Sequence, residues 1–330
     1  MDNLITIFRC FGFFKGAKYL VVKASTLVLK KIFVHTSRKN QRFAKIIRNL
    51  VGITDGMVKS YIYKNHRRVF DRYENVKDLG KVPSQKIIWT AWLQGVNDLP
   101  RAIDESFKAM ERHAGDYDVR IVTLANLNDY LKVDANVLKR FNNKQISAAH
   151  FTDYIRVLLL KNYGGVWLDA TQYMTRELPE DIWNYDLLVW NKVVDHTQKN
   201  AYVAIPFVEK FNNSFLVGKK HALFYEFASE ITHELLFDPI LQLDYFSNFK
   251  AYAVGVDKIA TLGQEWKAMR VINPDGYIIK QFWNQNMSSK VKSAINNSEN
   301  FFFTIAYKFT WQNESKGELT TEEYLVRNFR

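Results

Sequence analysis

Large apolar residues fall into two kinds of spacing along this chain. Between residues 86 and 236, short continuous apolar runs alternate with stretches where they recur every three or four positions. The run 86–92 (KIIWTAW) predicts a buried strand. Pro100 opens a helical pattern through Ile103, Phe107 and Met110, up to His113. Residues 118–123 (DVRIVT) predict a second strand. A strand, a helix and a strand of these lengths predict a βαβ unit and a parallel sheet. Shorter helices are predicted over 127–131 and 135–141. Ser147 is a good N-cap for a longer helix running to Tyr163, with Phe151, Tyr154, Ile155, Leu158 and Leu159 on its core face. Gly164 supplies the stop. The apolar strand 165–169 follows and ends in a carboxylate, Asp169. Further on, 187–190 and 200–205 predict strands and 222–236 a helix. Residues 257–303 read as short strands and loops.

The N-terminal pattern differs. Residues 4–34 are rich in Leu, Ile, Val and Phe, but Arg9, Lys15, Lys18, Lys23, Lys30 and Lys31 interrupt them. No apolar run approaches the roughly 18–20 residues that span a bilayer. No small-residue cleavage site follows a compact apolar core, so a signal peptide is not expected. The mixture predicts a helix lying in the membrane interface, its basic side chains facing anionic headgroups at about 1 kcal/mol each. Arg38, Lys39, Arg42, Lys45 and Arg48 then share one helical surface. The competing reading is ordinary helices packed on the body, with a solvated basic face.

Charge sharpens this division. The net charge is +12, and residues 1–80 carry 17 Lys and Arg against 5 Asp and Glu. Residues 81–330 carry 29 of each. Residues 77–85 (KDLGKVPSQ) read as a linker, dividing a basic helical segment, 1–80, from a neutral body, 81–330. The 330 residues are 47% hydrophobic and 24% charged, which is globular composition. The single Cys10 excludes an intramolecular disulfide and a multi-cysteine zinc site. A basic segment also suits nucleic acid, but no zinc-finger or RRM signature accompanies it. A nucleic-acid partner is not expected.

Three pieces can carry chemistry. Trp92, beside Gln94 and Gly95 at the end of the first body strand, can stack on a nucleotide base, or it can simply be core like Trp89. Asp153 and Arg156 lie three apart on the long helix. They make an ordinary ion pair, or they hold sugar hydroxyls and phosphate oxygens. Asp169 ends a strand at the edge where α/β sheets collect ligands, and can bridge Mg²⁺ or Mn²⁺ to a substrate diphosphate.

The order Thr152-Asp153-Tyr154-Ile155-Arg156, Leu159-Leu160, Tyr163-Gly164-Gly165-Val166-Trp167-Leu168-Asp169-Ala170-Thr171 resembles the capsular polysaccharide synthesis branch of glycosyltransferase family 32. Ile88-Trp89, Gln94-Gly95, Pro100, Lys144–Ser147 and Ala149-His150-Phe151 upstream also fit. So do Asp244-Tyr245-Phe246 and Lys308-Phe309-Thr310-Trp311 downstream. The resemblance covers roughly residues 84–312 and is strongest up to Thr175. It implies a GT-A fold, a Rossmann-like nucleotide-sugar-binding α/β domain. It also implies transfer of a sugar, with retention, from a nucleotide diphosphate donor such as a UDP-hexose, with Mn²⁺ or Mg²⁺. By position, Trp92 would contact the base, Asp153 and Arg156 the donor sugar, and Asp169 would open the DxD metal motif. Thr171 stands where the second acidic residue would be, and would ligate through its hydroxyl or through water.

The expected donor-binding set is therefore Trp92, Gln94, Asp153, Arg156, Gly164, Gly165 and Lys308. The expected catalytic set is Asp169, Arg156 and Asp244. Asp244 would contact the acceptor or act as a base, unless it only caps a turn. No nucleophilic carboxylate stands out, so front-face substitution is expected. The family's setting implies a polyprenyl-diphosphate-linked saccharide acceptor and an anionic membrane surface. The protein would then sit in the cytoplasm, peripheral on the inner face of the cell membrane. A non-catalytic sugar-nucleotide-binding scaffold is the alternative that Thr171 supports.

Overall fold

In the computed structural model, which describes residues 2–35, 41–77, 85–192 and 211–329, the chain opens with three helices. They are α1 (Asp2–His35), α2 (Gln41–Asn65) and α3 (Arg67–Tyr73). The body follows as β1 (Ile87–Ala91), α4 (Arg101–Arg112), β2 (Asp118–Val122), α5 (Leu127–Tyr130), α6 (Ala135–Asn142), α7 (Ala148–Tyr163), β3 (Gly165–Leu168), β4 (Gln172–Met174), β5 (Leu187–Trp190) and β6 (Asn212–Gly218). Then come α8 (Leu223–Leu235), α9 (Ile240–Leu243), α10 (Ser247–Lys258), α11 (Ala260–Ala268), α12 (Ile278–Gln281), α13 (Ser289–Asn296), β7 (Phe302–Thr304), β8 (Glu314–Ser315), β9 (Glu318–Leu319) and α14 (Thr321–Asn328).

The main sheet has the order β2-β1-β3-β6-β5. β1 runs parallel to β2 and to β3, so the expected βαβ unit is present. β6 is antiparallel to both β3 and β5. Alternation along the strands divides two cores. Ile88, Val166 and Leu168 pack with Ile103, Phe107 and Met110 of α4. Trp89 and Trp167 pack on the other face with residues of α7, α8 and α10. A third cluster joins Tyr173 and Phe303, from the paired β4 and β7, to α13 and α14.

The junction before β3 explains its two glycines. Gly164 ends α7 at φ 69°, and Gly165 continues at φ 106°. A side chain on Gly165 would bring its Cβ to 2.7 Å from the Ile87 carbonyl oxygen. The strand pair therefore closes only over glycine.

The N-terminal helices share the α7–α8 core. Phe70 and Tyr73 both meet the Phe227 ring, at 5.4 and 5.9 Å. His66 lies between Glu234 at 2.8 Å and Asp238 at 2.9 Å. Buried Lys250 of α10 joins Asp55 of α2 to Asp244. The competing reading, helices packed on the body, therefore describes α2 and α3. On α1, which is broken at Gly12, Phe13, Phe14, Val21, Val28 and Ile32 are exposed. Among the described residues, no helix is long and apolar enough to cross a membrane.

Two readings need correction. Residues 257–303 hold mostly short helices, with β7 alone as a strand of the named set. β4 and β6 were not expected at all. The strand expected over 200–205, and residues 78–84 of the expected linker, lie outside the described residues.

Candidate active site

The carboxyl ends of β1 and β3, the amino end of β6 and the first half of α7 meet at one rim. A cleft of about 580 Å³ opens there. This is within the range of sites for small organic ligands, roughly 300–1,000 Å³. Asp169 is the first residue after β3. Its N–H donates to the Ser214 carbonyl at 2.9 Å, and its carbonyl accepts from the Gln172 N–H at 2.8 Å. This closes a turn with Ala170 and Thr171 at its tip. The Asp169 carboxylate, 29% exposed, lies on the cleft wall. The Trp167 indole N–H donates to its Oδ1 at 2.7 Å.

Asp153 and Arg156 project from α7 and are buried, at 8% and 6% exposure. Arg156 bridges the two carboxylates: one terminal nitrogen is 3.4 Å from Asp153 Oδ1 and 3.3 Å from Asp169 Oδ1. Its other terminal nitrogen donates to the Asn213 carbonyl at 2.6 Å. The guanidinium lies 5.0 Å from the Trp167 ring centroid, a cation–π contact. Asn213 also donates its side-chain N–H to Asp153 at 2.7 Å. Burial pushes the Asp153 carboxyl up from its ordinary pKa, and Arg156 pulls it back. The Nε of Arg156 and the hydroxyl of Ser214 are buried without a hydrogen-bond partner.

The remaining wall is aromatic. Trp92 meets Tyr307 edge to face, with ring centroids 5.4 Å apart. Tyr245, Phe246, Tyr277 and Lys280 also line the cleft. Tyr277 accepts from the Asn212 side chain at 2.6 Å, and burial raises its hydroxyl pKa to about 12. Burial lowers the pKa of Lys280, and the positive charge of Lys308 adds to this.

The cleft thus brings together Trp92, Gln94, Asp153, Arg156, Asp169 and Thr171. Gly164 and Gly165 are not brought there: they stand at the other end of β3 and act through backbone geometry. Asp244 is off the wall as well. Its carboxylate accepts from Lys250 and from the Phe246 N–H at 2.9 Å. It thereby shapes the segment that presents Tyr245 and Phe246. Lys308 is off the wall, though its neighbour Tyr307 is on it. Sequence reasoning missed Asn213, Tyr277, Lys280 and Tyr307. Asn213 lies two positions before the apolar run 215–217, a signal that was available. Tyr277 and Lys280 sit in short helices whose pattern carries no period.

Among the described residues no three His, Cys, Asp or Glu side chains are grouped to cage a metal. Asp169 and Thr171 offer one carboxylate and one hydroxyl. That hard-oxygen set fits Mg²⁺ or Mn²⁺ when substrate phosphate and water complete the shell.

The family model described as "Capsular polysaccharide synthesis protein" matches residues 32–324. The chain is 28% identical over 155 residues to "O-glycosyltransferase braB" of Annulohypoxylon truncatum, covering 42% of this chain and 35% of that protein. It is 26% identical over 153 residues to "O-glycosyltransferase PaGT" of Phomopsis amygdali, covering 42% and 36%. The matched stretch is thus about a third of the length of these curated relatives. Among solved structures, "PaToxG Glycosyltransferase" aligns over 74% of this chain and 95% of its own, at TM-score 0.33 and 13% identity.

Proposed function

This chain belongs to the capsular polysaccharide synthesis protein family, and we propose that it works as a glycosyltransferase drawing on a nucleotide-diphosphate sugar. One observation carries this reading: Arg156 links Asp153 and Asp169 in a cleft that the Trp92–Tyr307 pair also lines. The sheet order, with one antiparallel strand next to β3, supports a GT-A type of domain for residues 81–330.

In this reading the base lies against Trp92, and Gln94 offers its amide to the same end of the ligand. Asp153 accepts from donor hydroxyls, and Arg156 holds both carboxylates in place. Asp169 and Thr171 would hold Mn²⁺ or Mg²⁺, which when bound supplies positive charge to the departing diphosphate. Lys280 adds a second positive charge on the cleft wall. The bond from C1 to the diphosphate oxygen breaks, and the acceptor oxygen bonds C1. The acceptor's proton passes to the departing phosphate oxygen on the same face. Both carboxylates on the wall are engaged by Arg156, so retention comes from this front-face substitution. The acceptor is a polyprenyl-diphosphate-linked saccharide. Residues 1–80 would attach the protein to the anionic inner face of the cell membrane, through the exposed apolar side chains of α1. The hexose and the nucleotide are for experiment to assign.

Thr171, in place of a second carboxylate, supports one other reading: a scaffold that binds the donor without turning it over. The test is donor hydrolysis across a panel of nucleotide sugars, with and without Mn²⁺, beside Asp169→Asn. Metal-dependent release of one nucleotide, lost in the variant, is expected. Calorimetric binding without release would favour the scaffold, and binding of no donor would overturn both readings.

A further inference from the structure

A second cavity, sharing no lining residue with the cleft, lies between α1 and α2. Phe11 meets Tyr61 edge-on at 5.8 Å, and Phe33 meets Phe43 at 6.0 Å. The two helices are therefore antiparallel. A groove of about 430 Å³ opens along their first contact. Its apolar lining includes Phe11, Ile53 and Met57, and Lys15, Lys18 and Lys64 also line it. None of these lysines forms an ion pair among the described residues. Asp238, reached from the groove by Tyr61, is already bonded by His66.

Gly56 forms part of the same lining. It sits inside α2, where glycine is destabilising relative to alanine. No packing explains it, because a Cβ there would have nothing within 4 Å. Gly52, one turn earlier, is open in the same way. Of the two, Gly56 alone lines the groove, so a larger side chain there would project into it. On α1, Phe13 and Phe14 are 72% and 87% exposed, immediately before Lys15. Apolar side chains ready to enter a bilayer thus adjoin a cationic, partly apolar groove.

We propose that this groove is a binding site for the phosphate headgroup of an anionic membrane lipid, with Phe13 and Phe14 inserted beside it. Lys15, Lys18 and Lys64 would hold the phosphate oxygens, and the floor at Phe11 and Met57 would take the first methylenes of the chain. The inference rests on the membrane reading above and sharpens it, from general charge attraction to a shaped site.

The test uses the full chain and vesicles of phosphatidylcholine, with or without phosphatidylglycerol. Wild type binds the anionic vesicles more tightly, on the order of a hundredfold, as three lysines allow. Gly56→Leu keeps every charge, fills the groove and favours the helix, so it melts no lower. It weakens anionic-vesicle binding about tenfold, the scale of losing charge-assisted hydrogen bonds. Lys18→Ala weakens binding more than Lys45→Ala, which removes the same charge from an exposed position outside the groove. Unchanged binding by Gly56→Leu, or equal losses in the two lysine variants, overturns the site and leaves the membrane reading standing. If wild type binds neither vesicle, both fail. Donor hydrolysis, assayed separately in solution, is touched by neither result.

Discussion

The indole N–H of Trp167, in β3, donates to the carboxylate of Asp169, the first residue after that strand, at 2.7 Å. The two residues are only two positions apart, so the contact is local to the end of β3 and the turn that follows it. It turns Trp167 from a simple core residue into the group that fixes how Asp169 faces the cleft. Trp167→Phe keeps the ring and loses the bond. We expect donor turnover to fall about ten- to hundredfold, matching a hydrogen bond to a charged group of about 1.5–3 kcal/mol. The melting temperature should move little. Paired kinetics and thermal melts check this.

Arg156 has more partners than lysine could satisfy. Arg156→Lys retains the charge but cannot reach the Asn213 carbonyl and both carboxylates together. Turnover should drop on the order of a hundredfold, as for loss of a single preorganised group. Arg156→Met takes the shared cation from buried Asp153 and partly exposed Asp169 and should lower stability by an amount near the lower end of about 3–5 kcal/mol. Urea unfolding measures the second effect, and steady-state kinetics the first.

Lys250 is 5% exposed, with Asp55 and Asp244 on either side. Lys250→Met removes the shared cation, leaving Asp55 with Lys59 and Asp244 with the Phe246 N–H. A loss of about 3–5 kcal/mol is expected in urea unfolding. Asp244→Asn leaves the Phe246 N–H an oxygen to bond and should cost much less.

His66 supplies a pH dependence. Burial alone would lower its pKa, but hydrogen bonds to Asp238 and Glu234 outweigh burial and raise it above the ordinary histidine value. A raised folded-state pKa means that the protonated form stabilises the fold. That contribution is complete below the unfolded pKa of about 6.5 and is lost as pH rises through the folded value. The stability gap between wild type and His66→Gln should therefore be widest in mild acid and shrink as the solution becomes alkaline. Denaturant midpoints across that range read the difference.

The stretch from β1 to Asp169 was legible because each signal there is local. Ser147 accepts from the His150 N–H as an N-cap, and Gly164 ends α7 where the pattern stops. Asp153 and Arg156 lie in the first half of α7 and Asp169 just after β3, so they could be read with these elements. β6 was harder. Its apolar core is three residues long, Phe215–Val217, and nothing local announces that it returns antiparallel beside β3. The placement of Tyr277, Lys280 and Tyr307 depends on how short helices and loops pack over the sheet. Asp244 reads as a candidate acceptor contact or base until Lys250, six residues away, is seen to occupy it. Spacing alone could not decide between those uses.

The edge-to-face pair of Trp92 and Tyr307 has an optical consequence. Of the eight tryptophans, Trp92 and Trp167 line the cleft, and Trp89 and Trp190 are fully buried elsewhere. Emission from the buried rings forms a steady background insensitive to ligand. A base sliding against Trp92 would quench its share of the signal and shift what remains. The protein thus carries its own fluorophore at the place where a donor would first touch it. Subtracting the Trp92→Phe spectrum would isolate that signal without attaching any label.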